Sequence, residues 1–162
     1  MTDFLSSKDV EILKALRTDC RRPMGLVGED VGVSKATVSR RVSKLEEDGI
    51  ISGYDLGIDA SKLGLMKALV AIQIIGTPVN VVIEQLQSYP EISAIYKSFG
   101  DHNIVCEVFA RSVDDLYEMI QTKLLKMPSV RNVEVDILVS EMRVHPNSDL
   151  DMYRVIQGMD QE

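Results

Sequence analysis

The sequence predicts an α+β chain: an N-terminal helix–turn–helix domain (1–50), a linker strand and turn (51–64), a C-terminal βαββαβ domain (65–145) and a tail (146–162). Three observations carry this prediction. Met24–Ser43 has glycines at the two places where a pair of short helices needs them, followed by a cationic amphipathic stretch. Residues 66–139 repeat one outline twice, strand, helix, proline, strand. Apolar residues alternate in the first and last of those strands and recur at helical spacing elsewhere.

In chain order, Ser6 or Ser7 opens a first helix with the apolar stripe Val10, Leu13 and Leu16, Ile12 beside it, and the Arg17–Arg22 region with Pro23 closes it. In the next pair of helices Gly28 stands where the two must touch and Gly32 in their turn, with Val27, Val31 and Val33 pointing inward. Ser34 is placed to cap the second helix, which buries Val38, Val42 and Leu45 at i, i+4 and i+7. Its remaining surface carries Lys35, Ala36, Thr37, Ser39, Arg40, Arg41 and Lys44, and no acid interrupts Ser34–Lys44. Such a face suits phosphates and base edges: Lys35, Arg40, Arg41 and Lys44 for the backbone, and Ala36, Thr37 and Ser39 or Arg40 for the bases.

After the acidic Glu46–Asp48 and Gly49, residues 50–58 alternate like a strand and Asp59–Gly64 turns into the second domain. There the first unit is strand Met66–Ile75, helix Pro78–Ser88 and strand Ser93–Phe99; the second is strand Asn103–Ala110, helix Val113–Lys126 and strand Arg131–Val139. Ala68, Val70, Ile72 and Ile74 line one face, as do Val133, Val135, Ile137 and Val139. Two helices cover one side of four strands, so an apolar second side calls for another copy of the chain.

Composition bounds the function. The 162 residues are 45% hydrophobic and 27% charged, ordinary for a globular protein, with a net charge of −7. Residues 1–50 hold nine bases and nine acids, so the whole negative excess lies C-terminal to the cationic helix and that half should avoid DNA. Cys20 and Cys106 fit neither a disulfide framework nor a metal spacing and read as reduced thiols. With His102 and His145 as the only histidines, no catalytic triad or metal cluster is expected, and no cofactor. The first residues show no basic signal-peptide pattern, and no apolar run exceeds strand length, Ala68–Ile75 being the longest. A cytoplasmic protein without a membrane partner is expected.

Taken together, LSSKDVEILKAL, GEDVGVSKATVSRRVSKLEEDGIISGY, DASKLG, SYPEI, SFGDHN and KMPSVRNVEV make the chain resemble an Lrp/AsnC (feast/famine) transcriptional regulator from about Leu5 to Val144. The resemblance implies a winged-type helix–turn–helix and a ferredoxin-like, RAM-type sensing domain, dimerised sheet to sheet and often built into octamers. It also implies an effector, usually an amino acid, held by the loop that here reads Gly100, Asp101, His102, Asn103. Asn103 stands where relatives carry an aspartate, and Val133 and Val135 where they often carry threonines, so a less polar metabolite is the expected ligand. The leading expectation is a dimeric regulator on double-stranded DNA that reads two half-sites. Its rivals are an architectural protein that wraps DNA with little sequence choice, and an enzyme like the sirohaem decarboxylases of related fold.

Overall fold

The computed structural model describes residues 5–159. Its contacts divide the chain into two compact units, the residues up to Gly57 together with those from Arg143 onward, and Ile58–Met142.

The first unit is helical. α1 (Ser7–Thr18) begins with a capping box in which Ser6 and Asp9 satisfy each other's backbone N–H groups. It buries Val10, Ile12 and Leu16. α2 (Met24–Val31) starts after Pro23 and stops at Gly32, whose φ of 74° is the left-handed conformation that glycine adopts at least cost. α3 (Lys35–Glu47) follows, capped by Ser34, whose hydroxyl accepts the N–H of Thr37 at 3.1 Å. Ile12, Leu16, Val27, Val31, Val38 and Val42 meet in one core.

Two expectations for this part of the chain need correcting. The linker expected as a strand takes no regular structure over residues 52–59. Alternation was present, but a strand needs a neighbour to pair with and none of the described strands pairs with it. Its side chains Leu56 and Ile58 stay 80% and 64% exposed. The segment expected as a tail holds a helix, α6 (Ser148–Gln157), which packs on α1. Leu150 is buried, Asp149 grips Arg17 through two hydrogen bonds, Lys14 pairs with Asp151, and the Tyr153 hydroxyl accepts the N–H of Leu5 at 2.8 Å. Asp149 and Asp151 in its first turn favour the positive helix end.

The second unit is βαββαβ: β1 (Met66–Ile74), α4 (Val79–Leu86), β2 (Ile92–Lys97), β3 (Ile104–Ala110), α5 (Val113–Met119) running into a π-helical turn (Ile120–Leu124), and β4 (Val130–Leu138). The strands are antiparallel in the order β2-β3-β1-β4. The helices cover one face, where Val70, Ile72, Ile104, Cys106 and Val108 meet Val82, Leu86, Leu116 and Leu124. Burial pushes the Cys106 thiol up to about 11, so it stays protonated and packs as an apolar group. Cys20, by contrast, is exposed.

The register corrects the reading of the other sheet face. Val133 and Val135 sit opposite Ile72 and Val70, and residues directly opposite in an antiparallel pair share a face. They therefore belong to the helix-covered side, at the edge of its core, with Val135 37% exposed. The open face is mixed rather than apolar: Leu69, Ala71 and Val105 alternate with Lys67 and Glu107, which pair at 3.2 Å.

Candidate nucleic-acid interface and effector loop

The presentation of α3 depends on how closely α2 approaches it. A Cβ on Gly28 would stand 2.6 Å from the carbonyl oxygen of Val33, so only glycine lets the turn fold back on α2. Gly28 in return offers its own carbonyl oxygen to the N–H of Val33 at 2.9 Å. With Val38, Val42 and Leu45 fixed inward, 100° per residue places Ala36, Arg40 and Ser43 on the opposite side of α3, flanked by Ser39 and Lys44. All five are exposed, as is Lys35. Ser43 was not among the residues expected from the sequence, although its place at i+3 from Arg40 put it on the same face.

The remaining sequence-predicted residues are partly engaged within the fold. Ser34 and Thr37 share a hydrogen bond at 2.9 Å between their hydroxyls, so they shape the start of α3 before they reach outward. Arg41 turns toward α1: its guanidinium donates to Asp9 at 2.7 Å and to the Ser6 hydroxyl at 2.9 Å. Burial opposes the charge on Asp9, but the hydrogen bonds from Ser6 and Arg41 outweigh it and hold the carboxyl below its ordinary value. The cap of α1 thereby anchors α3 across 32 residues of sequence, a pairing that no local pattern announces. Glu46, near the end of α3, accepts a hydrogen bond from the Tyr54 hydroxyl at 2.7 Å, and this contact pushes the tyrosine up to about 12.

In the second unit the loop between β2 and β3 closes through Asn103. Its N–H donates to Ile72 and its carbonyl accepts from Ser98, while its side-chain oxygen accepts the N–H of Ile74 at 2.7 Å. Asparagine here finishes the end of β1 by accepting that N–H. Asp101 is exposed, and Gly100 adopts a φ of 155°. His102 Nε2 lies 3.3 Å from Glu134 Oε2. The structure thus brings Glu134 to the loop and leaves Val133 and Val135 out of it, because successive residues of a strand point to opposite faces. Glu134 carries no signal of its own in the sequence, because an acid between Val133 and Val135 reads as the solvated face of an alternating strand.

Comparison with known proteins agrees with both halves. Residues 5–52 match the family model for winged helix-turn-helix DNA-binding, and residues 67–147 match that for the Lrp/AsnC ligand binding domain. The HTH-type transcriptional regulator LrpA of Pyrococcus horikoshii is 34% identical over 86% of this chain and 100% of its own. In structure the chain is similar to Escherichia coli AsnC, with a TM-score of 0.79 at 24% identity over 89% of this chain and 99% of that one. A Neisseria meningitidis transcriptional regulator in complex with L-methionine gives 0.80 at 19% identity, over 86% and 93% of the two chains.

Proposed function

The chain belongs to the Lrp/AsnC family of transcriptional regulators, and on that premise we propose that it reads two operator half-sites as a homodimer under the control of a small effector. The observation that carries the DNA reading is the exposed surface of α3 from Lys35 to Lys44, which bears cations and hydroxyls and no acid. Lys35, Arg40 and Lys44 grip phosphates, Ala36, Ser39 and Ser43 approach the bases, and Arg41 positions the helix from behind. In this reading residues 1–50 bind double-stranded DNA, 51–64 connect, and 65–145 assemble and sense. The dimer joins the open sheet faces, where Leu69, Ala71 and Val105 gain cover while Lys67 and Glu107 neutralise one another. The exposed cationic surface of α3 supports a regulator rather than an enzyme. A cytoplasmic location suits a regulator of DNA, and no helix among the described residues is long and apolar enough to cross a membrane.

For the effector site we propose the backbone of Gly100–Asn103 with His102 and Glu134 at its polar end. Glu134 supplies the negative charge that Asn103 lacks, so a small amino acid or a less polar amine-bearing metabolite is the ligand class. The test is selection of bound fragments from random and genomic DNA, with and without an amino-acid mixture, together with the mass in solution. A dimer with a recurrent two-part site is expected. Uniform binding with a steep salt dependence and no preferred sequence would favour the DNA-wrapping protein instead, and a monomeric mass would refute the assembly.

A further inference from the structure

The strands of the second unit leave a second opening at the end of the sheet away from the Gly100–Asn103 loop, where β1 and β2 begin and β3 ends. It is a cleft of about 330 Å³ beside α5, at the lower end of the roughly 300–1,000 Å³ usual for small-molecule sites. Its floor is apolar, formed by Leu65, Val108, Leu116 and Met119. Its walls carry five charged groups. Lys123 pairs with Glu91 and lies 5.1 Å from the centre of the Tyr89 ring; Arg111 donates to Asp115 at 2.7 Å; Glu118 has no ion pair among the described residues.

The charges that line the cleft do not cancel. Three carboxylates stand against two cations, and Oε2 of Glu91 is buried without a hydrogen-bond partner. The two groups left without a partner among the described residues, the Glu118 carboxylate and Oε2 of Glu91, are acceptors. An ammonium brings three donors and no acceptor, and it cancels the surplus charge. A carboxylate would add to that charge, and a neutral alcohol would forgo the charge-assisted bond. The apolar floor calls for a hydrocarbon body.

We propose that this cleft binds a small organic amine, its ammonium held at the Glu91–Glu118 side and its hydrocarbon lying on Val108, Leu116 and Met119. The site shares no residue with the Gly100–Asn103 loop or with Glu134, so it stands independently of the effector reading. The full chain would be titrated calorimetrically at neutral pH with isoamylamine, isoamyl alcohol and 4-methylvalerate, three probes of similar shape and different charge. Saturable binding of the amine at one site per chain is expected, at least tenfold tighter than the alcohol, with the carboxylate weaker still. Glu118→Gln, at an exposed position that the fold does not depend on, should weaken the amine at least tenfold, and Thr122→Trp, exposed on the rim, should block it. Gly100→Val should leave it unchanged. Absence of saturable amine binding, equal binding of the carboxylate, or wild-type affinity in Glu118→Gln would each overturn the proposal.

Discussion

Gly28→Ala tests the geometry on which the DNA-binding unit is built. The new Cβ would lie 2.6 Å from the Val33 carbonyl oxygen and 3.4 Å from the Lys35 backbone nitrogen, where ordinary contact starts at about 3.4 Å. The obstacle, the Val33 oxygen, is main chain, and so is the Lys35 nitrogen behind it. They are held in place by the N–H groups of Gly32 and Val33, which donate to Gly28, and by the Ser34 cap, so the clash can be relieved only by moving α3 away from α2. Overpacking of this kind costs about 1–3 kcal/mol, and alanine's better helix propensity returns about 1 kcal/mol, leaving a net loss of up to about 2 kcal/mol. Gly25→Ala on the same helix is the internal control. Nothing lies within 4 Å of its Cβ, so it receives the propensity gain without the clash and should stabilise the unit by up to about 1 kcal/mol. Amide hydrogen exchange in α2 and α3 reports the opening of this unit apart from the other. Equal protection in the two variants, or greater protection in Gly28→Ala than in wild type, would refute the reasoning.

Other predictions follow from the same contacts. Arg40→Ala should weaken operator binding by about 1–3 kcal/mol with exchange protection unchanged, whereas Arg41→Ala should lower protection of α1 and α3 as well, because it leaves Asp9 without its guanidinium; a loss of affinity alone in both would reverse their assigned roles. Asp9 binds fewer protons folded than unfolded, so the stability it contributes is present above the unfolded carboxylate value of about 4 and is lost as pH falls through the lower folded value. Acid titration of α1 protection should therefore show a loss below about pH 4 that is smaller in Arg41→Ala, and parallel profiles would contradict the anchor. Val70→Asp buries a charge at a site with no exposure and should unfold the second unit, while Val135→Asp, 37% exposed on the sheet edge, should keep the fold and the wild-type mass. Circular dichroism and light scattering would separate the two, and a Val135→Asp protein that falls to monomer would return Val135 to the interface.

Much of the architecture is written in local pattern. The glycines at 28 and 32, the caps at Ser6 and Ser34, and the period-two and period-3.6 apolar stripes decide which segments become helices and strands, because each of these effects acts within a few residues of chain. The cationic side of α3 was legible for the same reason. What the pattern left open depends on partners far away in sequence. Whether Arg41 faces outward or is held by Asp9, whether residues 148–157 stay a tail or dock on α1, and whether the Gly100–Asn103 loop meets Glu134 or the valines beside it are fixed by the packing of α1 and by strand register. A periodicity of two says that neighbouring strand residues face opposite ways, but only the pairing of β4 with β1, through Val70 and Val135, decides which way each one faces.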